Sequence, residues 1–240
     1  MFIPRIPSCN YIQKYTTSDD SDISYNLLPF FTIITAYERK SRGIGYQNRI
    51  PWHVPEDMNF FRKTTIRTQD PNKKNVVIMG KNTWESIKKK PLDKRINICL
   101  TTSIKKKDIG QRAFAQPSLP TTNLVGDRRS PDKFGHEQPD MFFAYSMNDA
   151  LQYIQNNISG IESVFIIGGS QLYQEAIQHP QCKSILINEL IFEPNILLVT
   201  DSFFPEIPEN MYQEINLTEN PIQSDTSVQI YPRKFIRKHI

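Results

Sequence analysis

Val76-Val77-Ile78-Met79-Gly80-Lys81-Asn82-Thr83-Trp84 reads as a strand that stops at a glycine and opens a helix. The apolar run is short and rich in β-branched residues, which favours a buried strand over a buried helix. Asn82 is placed to cap a short helix carrying Trp84 and Ile87. A second unit has the same shape. Val164-Phe165-Ile166-Ile167 runs into Gly168-Gly169-Ser170, and Ser170 to Ile177 then carries Leu172, Tyr173 and Ala176 on one side. A strand that feeds a helix through glycine is the repeating unit of an α/β domain with a largely parallel sheet.

Working outward, further strand-like runs lie at Phe30 to Tyr37, Asn75 to Met79, Asn97 to Thr101, Met141 to Tyr145, Ser163 to Ile167 and Ser184 to Leu190. Helical spacing recurs from Pro55 through Met58, Phe61 and Thr65, with proline suited to a first turn, and again over Asn148 to Ile158. Beyond Ser202 the helical period is lost. Residues 212–217 and 227–236 read as two late strands, an antiparallel pair at the sheet edge, with Pro232 leaving the register of the second open. The fold class is therefore α/β: a single domain whose mostly parallel central sheet is flanked by helices and closed by an antiparallel C-terminal edge. Residues 1–28 are polar and read as an extension of a domain spanning 29–240. Residues 103–140 lack an apolar period and read as a surface insertion.

Composition narrows the function classes. The chain has 240 residues, 38% hydrophobic and 22% charged, enough for a real core and too apolar for disorder. No run is long and apolar enough for a membrane span, and no secretory leader is evident at the N-terminus. Cys9, Cys99 and Cys182 are odd in number and far apart, so a reducing cytosol or nucleus is the default setting, and a cytoplasmic location is expected. His53, His136, His179 and His239 show no ligand spacing, and no metal is expected. The net charge of +4 suits anionic small ligands. Lys88 to Lys90 and Lys105 to Lys107 are short, without interleaved aromatics, and read as solvated surface, which argues against nucleic acid. A monomer is expected.

Three stretches can carry chemistry. Gly168-Gly169-Ser170 allows a ligand close to bare backbone and offers a helix N-terminus to a phosphate. Gly80-Lys81-Asn82-Thr83 repeats that arrangement with a lysine and a hydroxyl beside it, and two such turns can hold the two ends of a pyrophosphate. Gly43-Ile44-Gly45 followed by Ile50-Pro51-Trp52 makes a flexible loop with an apolar anchor, able to close over a site. Glu56 and Asp57 follow in a first helical turn, where the dipole favours either acid. Spacing alone does not choose between them, although Asp57 can share a face with Phe60 and Phe61.

These residues together resemble the dihydrofolate reductase family. Ile50-Pro51-Trp52 with Asp57-Met58-Asn59-Phe60-Phe61 is similar to its active-site helix. Val77 to Ile87 resembles its cofactor-side strand and helix, and Pro91-Leu92-Asp93-Lys94-Arg95-Ile96-Asn97 its folate-tail segment. Phe165 to Tyr173 is similar to its double-glycine motif, and Asp201-Ser202-Phe203-Phe204-Pro205 to its late acidic-aromatic motif. All five stand in the family's order. Three positions depart from it: Ser202 where threonine is usual, Lys94 where glycine is usual, and Thr102 where vertebrate relatives place a basic residue.

The resemblance implies reduction of dihydrofolate with NADPH, and binding of antifolate inhibitors at the same site. It implies that Asp57 binds the 2-amino group and N3 of the pteridine, with Trp52, Tyr173 and the Ser202 hydroxyl as further catalytic residues. Ile34, Thr35, Met58, Phe61, Ile87, Leu92 and Ile167 are expected around the substrate, with Arg95 gripping the α-carboxylate of its glutamate tail. The cofactor is expected against Ala36, Ile44, Gly45, Gly80, Lys81, Asn82, Thr83, Thr101 and Thr102, and against Gly168, Gly169, Ser170, Gln171, Leu172 and Tyr173. A riboflavin-pathway reductase of similar fold does not need the Trp52 to Phe61 segment. A binding scaffold derived from the enzyme would lack Asp57, Arg95 or the double glycine. A reductase–synthase fusion would continue well past the last expected strand, and this chain stops soon after it.

Overall fold

The computed structural model describes residues 28–102, 114–115, 141–216, 222–224 and 228–238. A sheet orders its strands β10-β12-β8-β1-β7-β3-β4-β6-β5, with β11 pairing β12 off that path. These are β1 Phe31–Glu38, β3 Lys74–Gly80, β4 Arg95–Leu100, β5 Phe114–Ala115, β6 Met141–Ala144, β7 Ile161–Ile166, β8 Cys182–Ile191, β10 Tyr212–Asn216, β11 Ile222–Gln223 and β12 Gln229–Arg237. From β8 through β5 every pairing is parallel, whereas β12 runs antiparallel to β8 and to β10. A separate two-stranded ribbon joins β2 (Gly43–Gly45) to β9 (Ser202–Phe203).

The alternation of side chains along each strand divides the sheet into two faces. Ile33, Val76, Ile78, Ile98 and Ile166 join α3 (Met147–Asn157) and α4 (Ser170–Gln178) through Leu151, Ile154, Leu172, Tyr173 and Ala176 in the main core. Ile34, Val77, Met79, Phe165, Ile167 and Leu186 face the other way, against Phe60 and Phe61 of α1 (Pro55–Ile66), Trp84 of α2 (Lys81–Ser86), Ile87 and Leu92. The parallel strands thus have both faces covered, which their near-continuous apolar sequences require.

Several local expectations need correction. Asn82 does not cap α2: the extended residue before the helix is Gly80, and Asn82 lies within its first turn. The cap geometry is set by the strand's last residue, which points straight into the helix. Pro232 does not interrupt the last strand. It pairs with Asn188 of β8, and on its other side it falls between β10, which ends opposite Arg233, and β11, which begins opposite Ile230. The missing N–H is tolerated because, among the described residues, no strand pairs with Pro232 on that side. The stretch 103–140 is not wholly an excursion, since Phe114–Ala115 adds a parallel edge strand to β6. The remainder of that stretch, and the extension through residue 27, lie outside the described residues. Pro55 at the start of α1 follows the sequence signal, and α3 is capped by Ser146, whose Oγ accepts from the Asp149 N–H at 3.1 Å.

Candidate active site

β3 and β7 are parallel neighbours, so their glycine turns open at the same end of the sheet. The Gly80 N–H donates to the Gly168 carbonyl at 2.7 Å, stitching the turns together. A Cβ at Gly169 would sit 3.3 Å from Thr83 Oγ1, and one at Gly168 would press on the Tyr173 ring at 3.0 Å. Gly168 also has φ +106°, a left-handed conformation that glycine adopts without cost. Bare backbone therefore lines this junction, next to the first turn of α4, whose leading N–H groups have no intrahelical acceptor. α2 starts at the same place but has only six residues, so α4 supplies the larger share of the dipole.

The acid comes from the other side of the sheet. Asp57 stands in the first turn of α1 and is 4% exposed. Asn188 of β8 donates from Nδ2 to Asp57 Oδ1 at 2.8 Å. Burial pushes the Asp57 pKa above the ordinary carboxylate value, and the donors Asn188 and Trp52 pull it back without cancelling that rise. The Trp52 Nε1–H is buried close to the carboxylate but closes no direct hydrogen bond. Ser202 does not support the acid. It lies in β9, opposite Gly45, and among the described residues the hydrogen bond to the Asp57 carboxylate comes from the Asn188 amide. The sequence reading missed Asn188 because it sits inside an apolar strand, whereas Ser202 belongs to a recognisable motif. A signal was available: Asn188 is two residues from Leu186 and so must share its face.

Five of the expected substrate residues meet in one place. Ile34, Phe61, Ile87, Leu92 and Ile167 pack into a single cluster between α1 and α2. Tyr173 is buried in the opposite core and donates through its hydroxyl to the Ile34 carbonyl at 3.0 Å, crossing the sheet. Thr35 follows on β1, its hydroxyl donating to the Ala36 carbonyl at 3.2 Å. Met58 is 37% exposed at the rim of α1 rather than in its buried face, which Asp57 and Thr65 occupy.

Arg95, at the start of β4, is only 2% exposed. Its NH1 donates to Thr65 Oγ1 at 2.7 Å and its Nε to the Asp93 carbonyl at 3.0 Å, while NH2 reaches Asp93 Oδ1 at 3.4 Å. Lys94 before it is exposed and has φ +58°, a left-handed conformation. That geometry explains why glycine suits this position.

The expected cofactor residues divide into two groups. Gly80, Thr83, Gly168 and Gly169 come together at the junction, with Ser170 and Leu172 on α4 beside it. Lys81, Asn82 and Gln171 are exposed, and Lys81 forms an ion pair with Glu85 at 3.8 Å. Thr101 is buried and Thr102 exposed just past the end of β4. Ala36 and Trp52 pack instead beside Val54 and Leu190, and Ile44 against the main core. The Gly45 loop is tied down: the Asp201 N–H donates to the Gly45 carbonyl at 2.9 Å, the Gln47 N–H to Asp201 Oδ2 at 2.8 Å, and the Phe203 N–H to Ser170 Oγ at 3.1 Å. Among the described residues no cluster of His, Cys, Asp and Glu could hold a metal ion, and no helix is long and apolar enough to cross a membrane.

A parallel sheet with glycine turns abutting at one end and a buried acid beside an apolar floor defines an α/β ligand-binding site. The family model described as "Dihydrofolate reductase" matches residues 30–124 and 121–237. A dihydrofolate reductase of Drosophila melanogaster is 27% identical over 217 residues, covering 89% of this chain and 100% of that protein. One from Candida albicans is 33% identical over 164 residues, 68% of this chain and 69% of that protein. A bifunctional dihydrofolate reductase-thymidylate synthase of Daucus carota is 33% identical over 192 residues, 77% of this chain but only 30% of that protein. The chain thus spans about a third of the length of the bifunctional relatives. It belongs to the dihydrofolate reductase family, whose members are oxidoreductases using a nicotinamide cofactor.

Proposed function

We propose that this chain reduces dihydrofolate to tetrahydrofolate with NADPH, supporting one-carbon metabolism and thymidylate synthesis in the cytoplasm. The observation that carries the reading is Asp57: a buried carboxylate, fixed by Asn188, at the edge of the apolar cluster formed by Ile34, Phe61, Ile87, Leu92 and Ile167. A planar heterocycle with an amino group beside a ring N–H matches this combination, since its faces are apolar and its edge presents paired donors.

The residues fit the cofactor. The Gly80 and Gly168-Gly169 junction admits a ligand to bare backbone, and the first turn of α4 favours a phosphate. When bound, the cofactor supplies a hydride to C6 of the pteridine. Lys81 stands at the mouth of that junction and carries the preference for a 2′-phosphate.

Within the site, Asp57 binds the 2-amino and N3 edge and orients the ring. Its negative charge favours a proton at N5, which water delivers, because no side chain of these motifs is an evident direct donor. Phe61 and Ile87 sandwich the ring system, Leu92 and Met58 flank it, and Arg95 holds the tail carboxylate. Antifolates with a diamino edge compete at Asp57. The buried free thiols of Cys99 and Cys182 suit a reducing cytoplasm.

The direct test follows NADPH absorbance with purified protein. Oxidation that depends on dihydrofolate, and is much slower with NADH, supports the proposal. Absence of dihydrofolate-dependent oxidation by folded protein refutes it.

A further inference from the structure

Near its C-terminal end β8 carries Asn188, which holds Asp57, and Leu190, which belongs to the apolar cluster that seats Trp52. Glu189 between them points to the opposite face, because side chains alternate along a strand. It is 5% exposed, and a carboxylate that deep in a fold has to be paired and hydrogen-bonded.

Its partners come from both neighbouring strands. Arg39, the residue after β1, donates to Oε2 from Nε at 2.7 Å and sets NH2 2.6 Å from the same atom. The Tyr37 hydroxyl of β1 donates to Oε1 at 3.1 Å, and NH1 of Arg233 on β12 donates to that oxygen at 3.0 Å. Burial and the Glu189 charge push the Tyr37 pKa up to about 12, so its hydroxyl remains a donor at neutral pH. Arg233 is held in turn by Glu214 of β10, through Nε at 2.6 Å and NH2 at 2.7 Å. The Arg39 guanidinium also lies 4.3 Å from the centre of the Tyr231 ring, on the strand that carries Arg233. One buried carboxylate is thus the common support of β1, β8 and β12.

Arg39 begins the loop that returns to the site at Trp52. Its N–H donates to the Leu190 carbonyl at 2.9 Å, and at the far end of the loop Trp52 packs beside Leu190 and Ile230. Both ends of the loop therefore hang on the β8–β12 pair, next to the asparagine that holds the acid. Apolar residues of similar size often stabilise a fold as well as a buried ion pair does, so stability alone does not call for this cluster. What the cluster adds is position: it sets the first residue of the loop against the strand of Asn188. We propose that Glu189 is a positioning residue for the reaction, which grips Arg39 and Arg233 from the face away from the ligand and so fixes the root of the 39–52 loop and the strand that orients Asp57. The proposal rests on the reduction assigned to the Asp57 site.

The test uses the full chain and two readouts: steady-state kinetics with NADPH and dihydrofolate, and amide hydrogen exchange. Glu189→Gln keeps the size and removes the charge. Arg39→Met, at a half-exposed position, breaks the same contact from the surface and serves if the first variant does not fold. Each should lower kcat about tenfold, a loss that a shift of an ångström in a reacting group is enough to cause. NADPH affinity should stay within about twofold, because the glycine junction lies on other strands. Amides of residues 40–50 should exchange at least about fivefold faster, while those of α3 do not change. Arg39→Lys, which restores the charge, should recover most of the rate, and the double variant should lose no more than either single one. Unchanged loop exchange, or a wild-type kcat in folded Glu189→Gln with only the melting temperature lowered, would overturn the proposal. A wild type that does not turn over dihydrofolate would instead sink the reading of the Asp57 site, and loop exchange would still support or overturn the grip of Glu189.

Discussion

Arg95→Leu should separate ligands by whether they carry a glutamate tail. The Arg95 guanidinium has five N–H groups. Contacts with Thr65, the Asp93 carbonyl and the Asp93 carboxylate use three of them, leaving two without an acceptor among the described residues in a side chain 2% exposed. Two parallel donors are what a carboxylate accepts from a guanidinium fork. Loss of that charge-assisted contact should weaken tailed folates and methotrexate-like ligands by about 1.5–3 kcal/mol, roughly 10- to 150-fold in dissociation constant. Small diaminopyrimidines without a tail should change by less than about twofold, since they carry no carboxylate for the fork to hold. The substitution also removes the bond to the buried Thr65 hydroxyl, at a cost of about 1–3 kcal/mol in stability, so affinities are measured below the unfolding transition. Thr65→Val leaves the charge in place but frees the fork to turn, and should produce a smaller, tail-selective loss. Lys94→Ala should affect neither ligand class. Titration calorimetry of both classes decides the matter, and equal losses for tailed and tail-less ligands in Arg95→Leu would refute the tail-anchor role.

Asp57→Asn should cut turnover at neutral pH by on the order of 10²-fold or more while leaving NADPH affinity intact; a milder effect than Glu56→Gln would overturn the choice of acid. The same variant tests linkage. Burial raises the folded pKa of Asp57, so the stability associated with its protonated form is present below the ordinary carboxylate pKa and is lost as pH rises through the raised value. Asp57→Asn should therefore melt above the wild type at neutral pH, with the gap closing in acid; a gap that does not vary with pH would contradict this. Lys81→Ala should weaken NADPH about tenfold more than NADH, less so at high salt because Lys81 is half-exposed, and equal weakening would exclude a phosphate contact. Lys94→Gly should stabilise the protein by about 1 kcal/mol by relieving the φ of +58°, as read by denaturant midpoint.

The parallel sheet was legible because buried strands write themselves as short β-branched runs, and β1, β3, β4, β6, β7 and β8 all lie within a few residues of those runs. The two glycine turns were legible for a similar local reason. What sequence could not supply was the contact partner. Arg95 looks like a strand-entry charge until Thr65, thirty positions away, is seen to receive its NH1. Ser202 belongs to a motif and was assigned a role by that association, but proximity to Asp57 is decided by the register of β8, which brings Asn188 there instead. Pro232 was ambiguous because a proline's cost in a strand depends on which neighbours pair with it, and those are set by topology.

The two faces of the sheet differ in how complete they are. α3 and α4 seal one of them with fully buried side chains, whereas on the other Phe60, Phe61, Trp84, Ile87 and Leu92 remain only partly covered. A ligand seated between α1 and α2 is, in packing terms, the missing piece of that second core. Folded and bound states are then linked by mass action: a ligand at 100 times its dissociation constant adds about 2.7 kcal/mol to the stability of the fold. For a domain of ordinary marginal stability that is a large fraction of the total. The amount of intact protein in a cell should accordingly follow the supply of its own ligands, and a tight inhibitor, by filling the same gap, should slow the protein's degradation while blocking its activity.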